Sequence, residues 1–235
     1  MLSIDLHIHT LRSNEAFSSL YEIVYEAQNR DMLMIGITDH GPGVPEGAVE
    51  SYFRQGKRLP KDLLGVRLLF GAEMNIMNEE GALDLPDEII DLLDVPAAGL
   101  HRPSVNTVEA NTRAMINTIR SGRVKVITHP CSSAAVVDIG EVALEAIRHG
   151  VLLEINASHF RYPGYIDEEY MKRLKIMVRY CQEFHHPLIV GSDAHFYLEV
   201  GDDRELQRYY RELGLRVDDV INNDLQGVQK FFGVE

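Results

Sequence analysis

The sequence predicts a single α/β domain in which parallel strands close, or nearly close, into a barrel. Along the 235 residues, short apolar runs alternate with amphipathic segments seven times. Most of these runs are continuously apolar, which is typical of parallel strands covered on both faces. An open doubly wound sheet would require a glycine-rich phosphate turn after the first strand, and residues 10–15 contain no glycine. No repeat or composition shift marks a second domain, so we predict one domain over residues 1–235.

The first predicted strand, near residues 4–9, alternates apolar and polar side chains. Because side chains in a strand repeat with a period of two, Asp5, His7 and His9 are expected on one face. The polar turn that follows places the two histidines at the C-terminal end of the strand. They are candidate metal ligands, although two histidines alone could equally be a buried and a solvated side chain.

The remaining elements are predicted in chain order. Residues 18–30 form an amphipathic helix that begins at Ser18 or Ser19. Further strands are predicted over residues 32–38, 66–75, 94–100, 124–130, 151–156 and 187–195. Helices are predicted over 107–121, 139–149 and 167–184, with a short one near 47–57 and a last one anchored by Val228, Phe231 and Phe232.

Most of the histidines and two of the carboxylates fall at the predicted C-terminal ends of strands. They are His7, His9, His40, Glu73, His101, His129, Asp193 and His195. These strand ends meet at one face of a barrel, where catalytic groups assemble. Buried carboxylates would be costly there without a cation, and imidazole with carboxylate suits Zn²⁺, Mn²⁺ or Fe²⁺ better than Ca²⁺. We therefore predict a metal site, and we expect most of the other histidines (His149, His159, His185 and His186) to be solvated.

Composition limits the partners of the protein. With 23 basic and 36 acidic residues the formal charge is −13, which argues against a nucleic-acid or anionic-membrane binder. Two cysteines are too few for a disulfide framework. No secretory signal and no apolar span of about 20 residues is visible. We expect a cytoplasmic protein with no membrane contact. The sequence does not decide whether it forms a homo-oligomer.

The motifs, taken together and in order, resemble the polymerase and histidinol phosphatase (PHP) superfamily, and most closely its stand-alone YcdX-type phosphatases. The matching motifs are DLHIHT at 5–10, TDHG at 38–41, GAE at 71–73, GLH at 99–101, THP at 128–130 and GSDAH at 191–195. The resemblance covers essentially the whole chain. It implies a distorted TIM-like (β/α)7 barrel with a cluster of three divalent metal ions that hydrolyses phosphoesters.

The resemblance also implies which residues hold the three ions. The ligands would be His7, His9, Glu73 and Asp193 for the first ion, Glu73, His101 and His129 for the second, and His40 and His195 for the third. YcdX-type relatives have a further histidine in the turn after the first strand, where this chain has Glu15. A carboxylate can replace imidazole on Zn²⁺ or Mn²⁺, so we predict Glu15 as a ligand of the third ion. The alternative is a solvated turn residue beside a weak or absent third ion.

Charge counting agrees with phosphoester chemistry. Three divalent ions opposed by three carboxylates leave an excess of about three positive charges, which suits a phosphate monoester dianion. The ions would also provide a hydroxide for direct attack near neutral pH. Asp193 or His195 is predicted to carry the proton. Arg102 and Arg161 are predicted to contact phosphate through paired hydrogen bonds, the alternative being ordinary surface arginines.

Several functions remain open at this stage. The leading hypothesis is a metal-dependent phosphatase acting on a small phosphorylated metabolite. The alternatives are a nuclease or proofreading-type phosphodiesterase and a non-catalytic barrel that binds metal for regulation. An amidohydrolase-type barrel would place a bridging lysine, which the sequence does not reveal.

Overall fold

The computed structural model describes residues 1–45, 47–101, 107–162 and 164–234. Among these residues, seven parallel strands pair with their neighbours in chain order, and one short antiparallel strand pairs with the start of the third of them. The strands are Ile4–Ile8 (β1), Met34–Ile37 (β2), Asp62–Leu63 (β3, antiparallel to β4), Val66–Asn75 (β4), Val95–Gly99 (β5), Val126–Ile127 (β6), Leu152–Asn156 (β7) and Ile189–Gly191 (β8). The predicted parallel barrel is confirmed.

Helices surround the sheet. They are Leu20–Asn29 (α1), Glu50–Arg54 (α2), Asp87–Ile90 (α3), Val108–Arg120 (α4), Ile139–His149 (α5), Ser158–Arg161 (α6), Glu168–Glu183 (α7), Arg204–Gln207 (α8), Tyr210–Leu213 (α9) and Leu225–Phe232 (α10). The predicted cap of α1 is Ser19, whose hydroxyl accepts the Glu22 N–H while the Glu22 carboxylate accepts the Ser19 N–H. In the described ranges no helix is both long and apolar enough to cross a membrane.

Four of the helices were not predicted. They are α3, α6, α8 and α9, and each has four residues. A single helical turn shows no 3.6-residue repeat of apolar positions, so its sequence carries no periodic signal. They follow the strands β4, β7 and β8, and α6 begins two residues after β7.

The barrel closes incompletely between β8 and β1. Near its C-terminal end, the main-chain N–H of His9 donates to the carbonyl of Ala194 over 2.9 Å. Further along, the buried Asn222 side chain bridges the strands: Nδ2 donates to the carbonyls of Ile4 (2.9 Å) and Val190 (2.8 Å), while Oδ1 accepts the Val190 N–H. One amide side chain therefore satisfies main-chain groups that a continuous ladder would otherwise pair.

Asp5 belongs to this seam and not to the polar cluster on the barrel mouth. Its carboxylate accepts main-chain N–H groups of His7, Ser192 and Gly201. The register of β1 against β2 shifts between Asp5 and Ile8, which breaks the strict two-residue repeat. Asp5 was expected on the face of His7 and His9, and its side chain has a different role from theirs, since it binds main-chain N–H groups at the seam.

The inside of the barrel is apolar towards the N-terminal ends of its strands. Side chains such as Leu6, Met34 and Leu69 form one buried cluster, which includes Val228 and Phe232 from α10. The C-terminal helix therefore covers the bottom of the barrel with its predicted apolar anchors. The candidate ligand side chains lie at the opposite, C-terminal end of the barrel.

Candidate metal centre

All nine predicted metal ligands gather at the C-terminal mouth of the barrel, and Glu73 near the end of β4 lies at their centre. Its Oε1 is 3.0 Å from Nε2 of His101 and 2.8 Å from Nε2 of His129. Its Oε2 is 3.2 Å from Nε2 of His7 and 3.1 Å from Nδ1 of His40. The two oxygens of one buried carboxylate thus face two different sets of histidine nitrogens, which is the arrangement of a bridging ligand.

Asp193 lies opposite Glu73 across the first pair of histidines. Its Oδ1 is 3.2 Å from Nε2 of His9 and 3.6 Å from Nε2 of His7. The same oxygen is 3.5 Å from Nδ1 of His195. Three imidazoles therefore converge on one carboxylate oxygen.

Two of these ligand candidates have a left-handed backbone. The φ angle is 34° at His129 and 51° at Asp193, a region that side chains larger than hydrogen seldom adopt. The sharp turn at each residue ends its strand early, so β6 has two residues and β8 three, where longer strands were predicted. Strain of this kind is concentrated at functional sites, where surrounding contacts hold it in place.

Glu15 reaches the cluster from the turn after β1. Its Oε1 is 2.7 Å from Nε2 of His40 and 3.5 Å from Nε2 of His195. The Glu15 side chain is 55% exposed whereas that of His40 is 6% exposed. Glu15 therefore lies on the outer edge of the mouth, within reach of both histidines that were assigned to the third ion.

The donor atoms fit divalent cations. Three groups each bring their ligand atoms within 4.8 Å of one another: His7, His9 and Asp193; His40, Glu73 and His101; and His9, His40 and His195. Nδ1 of His40 and Nε2 of His101 are buried without a hydrogen-bond partner in the described part of the chain. Both nonetheless lie within 3.1 Å of a Glu73 oxygen. Nitrogen lone pairs directed at carboxylates with no bonding proton between them are what a cation would satisfy.

The charges in the cluster are strongly coupled. Burial opposes the cationic form of His9, but Asp193 and Glu73 outweigh it and raise its pKa to about 9. Burial would raise the pKa of Glu73, yet His7 and His101 hold that pKa well below its usual range. Burial and the neighbouring His9 charge lower the pKa of His40 to about 4. Protons thus compete with a metal for the same nitrogens.

Glu154 on β7 supports the cluster from behind, and the sequence reasoning missed it. Its Oε1 is 2.6 Å from Nδ1 of His7, and its Oε2 accepts the main-chain N–H of His129. Gly191 leaves room for the pair, because a Cβ there would lie 2.7 Å from that of His7. A carboxylate within the otherwise apolar 151–155 run was the available signal.

Ser13 orients two of the histidines. Its hydroxyl donates to Asp39 over 2.8 Å and accepts the main-chain N–H of His40. Since that proton is committed, Nδ1 of His9, 3.0 Å away, is the donor to Ser13, which leaves Nε2 of His9 free to face the carboxylates. Partners of this kind fix the tautomer of a metal-binding histidine.

The predicted phosphate-binding arginines are only partly described. Arg102 lies outside the described residues. Arg161 is largely buried, and its guanidinium donates to the carbonyls of Ser192 (2.8 Å) and Asp202 (3.0 Å). It is therefore not an ordinary surface arginine, and its phosphate contact remains a prediction.

Of the four remaining histidines, His149 and His185 are exposed as expected, whereas His186 is half-buried and His159 is buried. His159 is 9% exposed, and burial together with the nearby His129 lowers its pKa to about 4. Its position in the unpredicted helix α6, and not its sequence context, carries it to the barrel mouth.

Comparison with known proteins identifies similar sequences over nearly the whole chain. The PHP domain model matches residues 5–213. A protein of Thermoanaerobacter sp. (strain X514) named probable phosphatase is 36% identical over 98% of this chain and 94% of its own length. One of the same name from Caldanaerobacter subterraneus subsp. tengcongensis is 37% identical over 98% and 91%.

Solved structures share the fold at lower identity. Histidinol phosphate phosphatase from Lactococcus lactis subsp. lactis Il1403, in complex with zinc, L-histidinol and phosphate, has a TM-score of 0.63 and 16% identity, covering 91% of this chain and 94% of that one. A chain in a cryo-EM structure of archaeal ribonuclease P with mature tRNA has a TM-score of 0.62 at 10% identity, covering 98% and 90%. Both similarities concern the fold.

Proposed function

Because this chain belongs to the PHP domain family, we propose that it is a metal-dependent phosphatase acting on a small phosphorylated substrate. The observation that carries the proposal is the position of Glu73, whose two oxygens face separate sets of histidine nitrogens. Its relatives over nearly the full length are named probable phosphatases. The Lactococcus lactis phosphatase that shares the fold was crystallised with zinc and phosphate.

Three divalent ions are proposed for the mouth, with Zn²⁺ first and Mn²⁺ or Fe²⁺ as alternatives. The proposed ligands are His7, His9, Glu73 and Asp193 for the first, Glu73, His101 and His129 for the second, and Glu15, His40 and His195 for the third. The unpartnered Nε2 of His101 supports the second position, and the approach of Glu15 Oε1 to Nε2 of His40 and of His195 supports the third. Bound ions of this kind polarise a phosphoryl oxygen and lower the pKa of a coordinated water.

The protein residues orient the site and hold a proton. Asp193 and His195 are both proposed as proton carriers. Oδ2 of Asp193 accepts hydrogen bonds from Asn156 (3.0 Å) and Ser158 (3.1 Å), which leaves Oδ1 directed at the proposed ligand histidines. His195 instead commits Nδ1 to the main-chain carbonyl of Asp193 at 3.0 Å. Its side chain, 29% exposed, lies on the solvent side of the cluster beside Glu15.

The proposal is tested by stripping the protein of metal with a chelator and reloading it separately with Zn²⁺, Mn²⁺ and Fe²⁺. Release of inorganic phosphate is then followed on a panel of phosphate monoesters, with a diester and a single-stranded oligonucleotide alongside. We expect metal-dependent cleavage of monoesters. Cleavage of the oligonucleotide alone would favour the nuclease alternative. A protein that binds the ions but cleaves no phosphoester would be a regulatory barrel.

A further inference from the structure

One buried histidine at the mouth has no role in the proposed ligand set. The ring centroid of His159 lies 6.2 Å from that of His129, one of the proposed ligands. On another side, Nδ1 of His159 is 3.0 Å from the hydroxyl of Tyr170, and the two rings meet edge to face. His159 is therefore a rigidly held ring directly beside the metal centre.

Tyr165 stacks on this ring. The two centroids are 5.4 Å apart and the planes are inclined by only 18°. His159 is buried, but Tyr165 is 57% exposed, so one side of the tyrosine ring is held in place while much of the rest remains open. Two ring-to-ring steps, of 6.2 and 5.4 Å, thus lead from a proposed metal ligand to an exposed aromatic surface.

Tyr162 forms the second wall of this surface. Its ring centroid is 6.3 Å from that of Tyr165, the planes are inclined by 57°, and the side chain is 48% exposed. The Tyr162 hydroxyl donates to Oε1 of Glu199 over 2.6 Å, and Oε2 of Glu199 accepts the main-chain N–H of His195. The two tyrosines, hereafter the aromatic corner, are therefore anchored to the metal centre on one side through His159 and on the other through Glu199.

An exposed and yet anchored pair of rings is suited to ligand binding. Exposed apolar surface is commonly a recognition site, and tyrosine offers a large contact area at a small cost in conformational entropy. Aromatic rings favour other aromatic rings through offset or edge-to-face contacts, beyond the gain from burial. Because His159 and Glu199 connect the corner to proposed metal ligands, the corner is a candidate contact for the organic part of an ester whose phosphate is held at the metal centre.

We propose that Tyr162 and Tyr165 bind the planar organic group of the substrate, so that the protein prefers phosphate esters of aromatic or heteroaromatic alcohols to alkyl phosphates. This inference rests on the proposed phosphatase function for the location of the phosphate. In this proposal the corner selects among phosphate esters by their organic group, while the metal ligands serve the phosphate.

Binding of two non-hydrolysable probes, phenylphosphonate and methylphosphonate, to the zinc-loaded full-length protein tests the inference without turnover. We expect wild type to bind phenylphosphonate more tightly. Tyr165→Leu should lower the affinity for phenylphosphonate about three- to tenfold and leave the affinity for methylphosphonate unchanged. Tyr165→Phe keeps the ring and should retain the preference. Tyr25→Leu is the matched control, since Tyr25 is 50% exposed and stacked on Tyr21 in α1; it should change neither affinity.

The outcomes separate this inference from the proposed function. The proposed role of the aromatic corner would be overturned if Tyr165→Leu lowered the affinity for both probes equally, or lowered neither. The ratio of kcat/KM for phenyl phosphate to that for ethyl phosphate should fall by the same factor in Tyr165→Leu. A wild-type protein that hydrolyses neither ester would contradict the phosphatase proposal, while the phosphonate measurements would still decide whether the corner binds aromatic groups.

Discussion

Oε1 of Glu154 lies 2.6 Å from Nδ1 of His7, and both side chains are almost completely buried. The contact assigns the Nδ1 proton of His7 to a hydrogen bond and leaves Nε2 directed at Glu73 and Asp193. Partners of this kind typically change metal affinity by about 10- to 100-fold when they are replaced. The relationship makes Glu154 a positioning residue for a proposed metal ligand.

We therefore expect Glu154→Gln to weaken zinc binding about tenfold or more, because the amide still accepts a hydrogen bond but loses its charge. Competition with a chromogenic chelator measures the affinity. Glu145→Gln is the control, since Glu145 is also buried but pairs with Arg120 and Arg148 on the helical layer. Unchanged affinity in Glu154→Gln would show that the pair contributes only to folding.

Glu73→Gln should reduce bound metal and activity more than a change at any other carboxylate. The reason is that, in the described residues, Glu73 is the one carboxylate whose two oxygens both approach ring nitrogens of proposed ligand histidines. Elemental analysis of metal per chain measures the loss. His101→Ala is the companion variant and should lower occupancy mainly at the second ion. Full activity of Glu73→Gln at unchanged metal content would refute the bridging role.

Replacing Glu15 should selectively affect the third of the proposed ions. Glu15→Ala removes the oxygen that lies 2.7 Å from Nε2 of His40, and Glu15→His should restore binding. Histidine would also remove one negative charge and so tighten phosphate binding modestly. With a carboxylate present, Mn²⁺ should compete with Zn²⁺ better than in Glu15→His, because oxygen is the harder ligand.

Anomalous scattering or metal titration on wild type, Glu15→Ala and Glu15→His distinguishes the three proposed ions. Glu183→Ala, at an exposed glutamate at the end of α7, is the control. Three ions of unchanged affinity in Glu15→Ala would make Glu15 a surface acid.

Asp84 should make stability depend on pH. Its Oδ2 accepts the N–H of Gly43 at 2.9 Å, whereas Oδ1 is buried without a hydrogen-bond partner in the described residues. Burial raises the pKa of this carboxyl from 3.8 to about 6. Because the folded pKa lies above the unfolded one, the native state binds more protons between these values, and stability falls as pH rises through this window.

Asp84→Asn should remove this loss, which amounts to about 2 to 3 kcal/mol in the free energy of unfolding. Urea unfolding of the chelator-treated protein at about pH 4.5 and pH 6.5 compares the two forms. Asp218→Asn, at an exposed aspartate, should keep the wild-type slope. Parallel pH dependence in wild type and Asp84→Asn would show that the carboxyl is not the source.

Asn222→Leu should destabilise the barrel by about 3 kcal/mol, because it leaves buried main-chain groups of Ile4 and Val190 unpaired at the seam. Thermal unfolding measures the change. Asn223→Ala is the neighbouring control, since its amide bonds only the carbonyls of Val217 and Val220 near the surface. An equal effect of the two variants would mean that the seam does not depend on the Asn222 amide.

Much of the fold could be predicted because it is encoded in local patterns. Strand β4 has the predicted bounds, and α5 spans the predicted residues, because long apolar runs and 3.6-residue repeats report on burial directly. The location of the candidate site followed from the same information: once the strands are parallel, histidines at their C-terminal ends must meet at one mouth. One-turn helices carry too few residues for such a signal, and the early ends of β6 and β8 come from backbone turns that an apolar run does not report.

The sequence by itself therefore determined the parallel barrel and the end at which its histidines and Glu73 lie, since both depend on residues close in the chain. Only the tertiary structure decided which groups face one another. Glu154 meets His7 across 147 residues, Asn222 closes a seam 218 residues from Ile4, and Tyr165 covers a buried His159. Such pairs depend on barrel closure and on the direction of individual side chains, and residue periodicity contains no record of either.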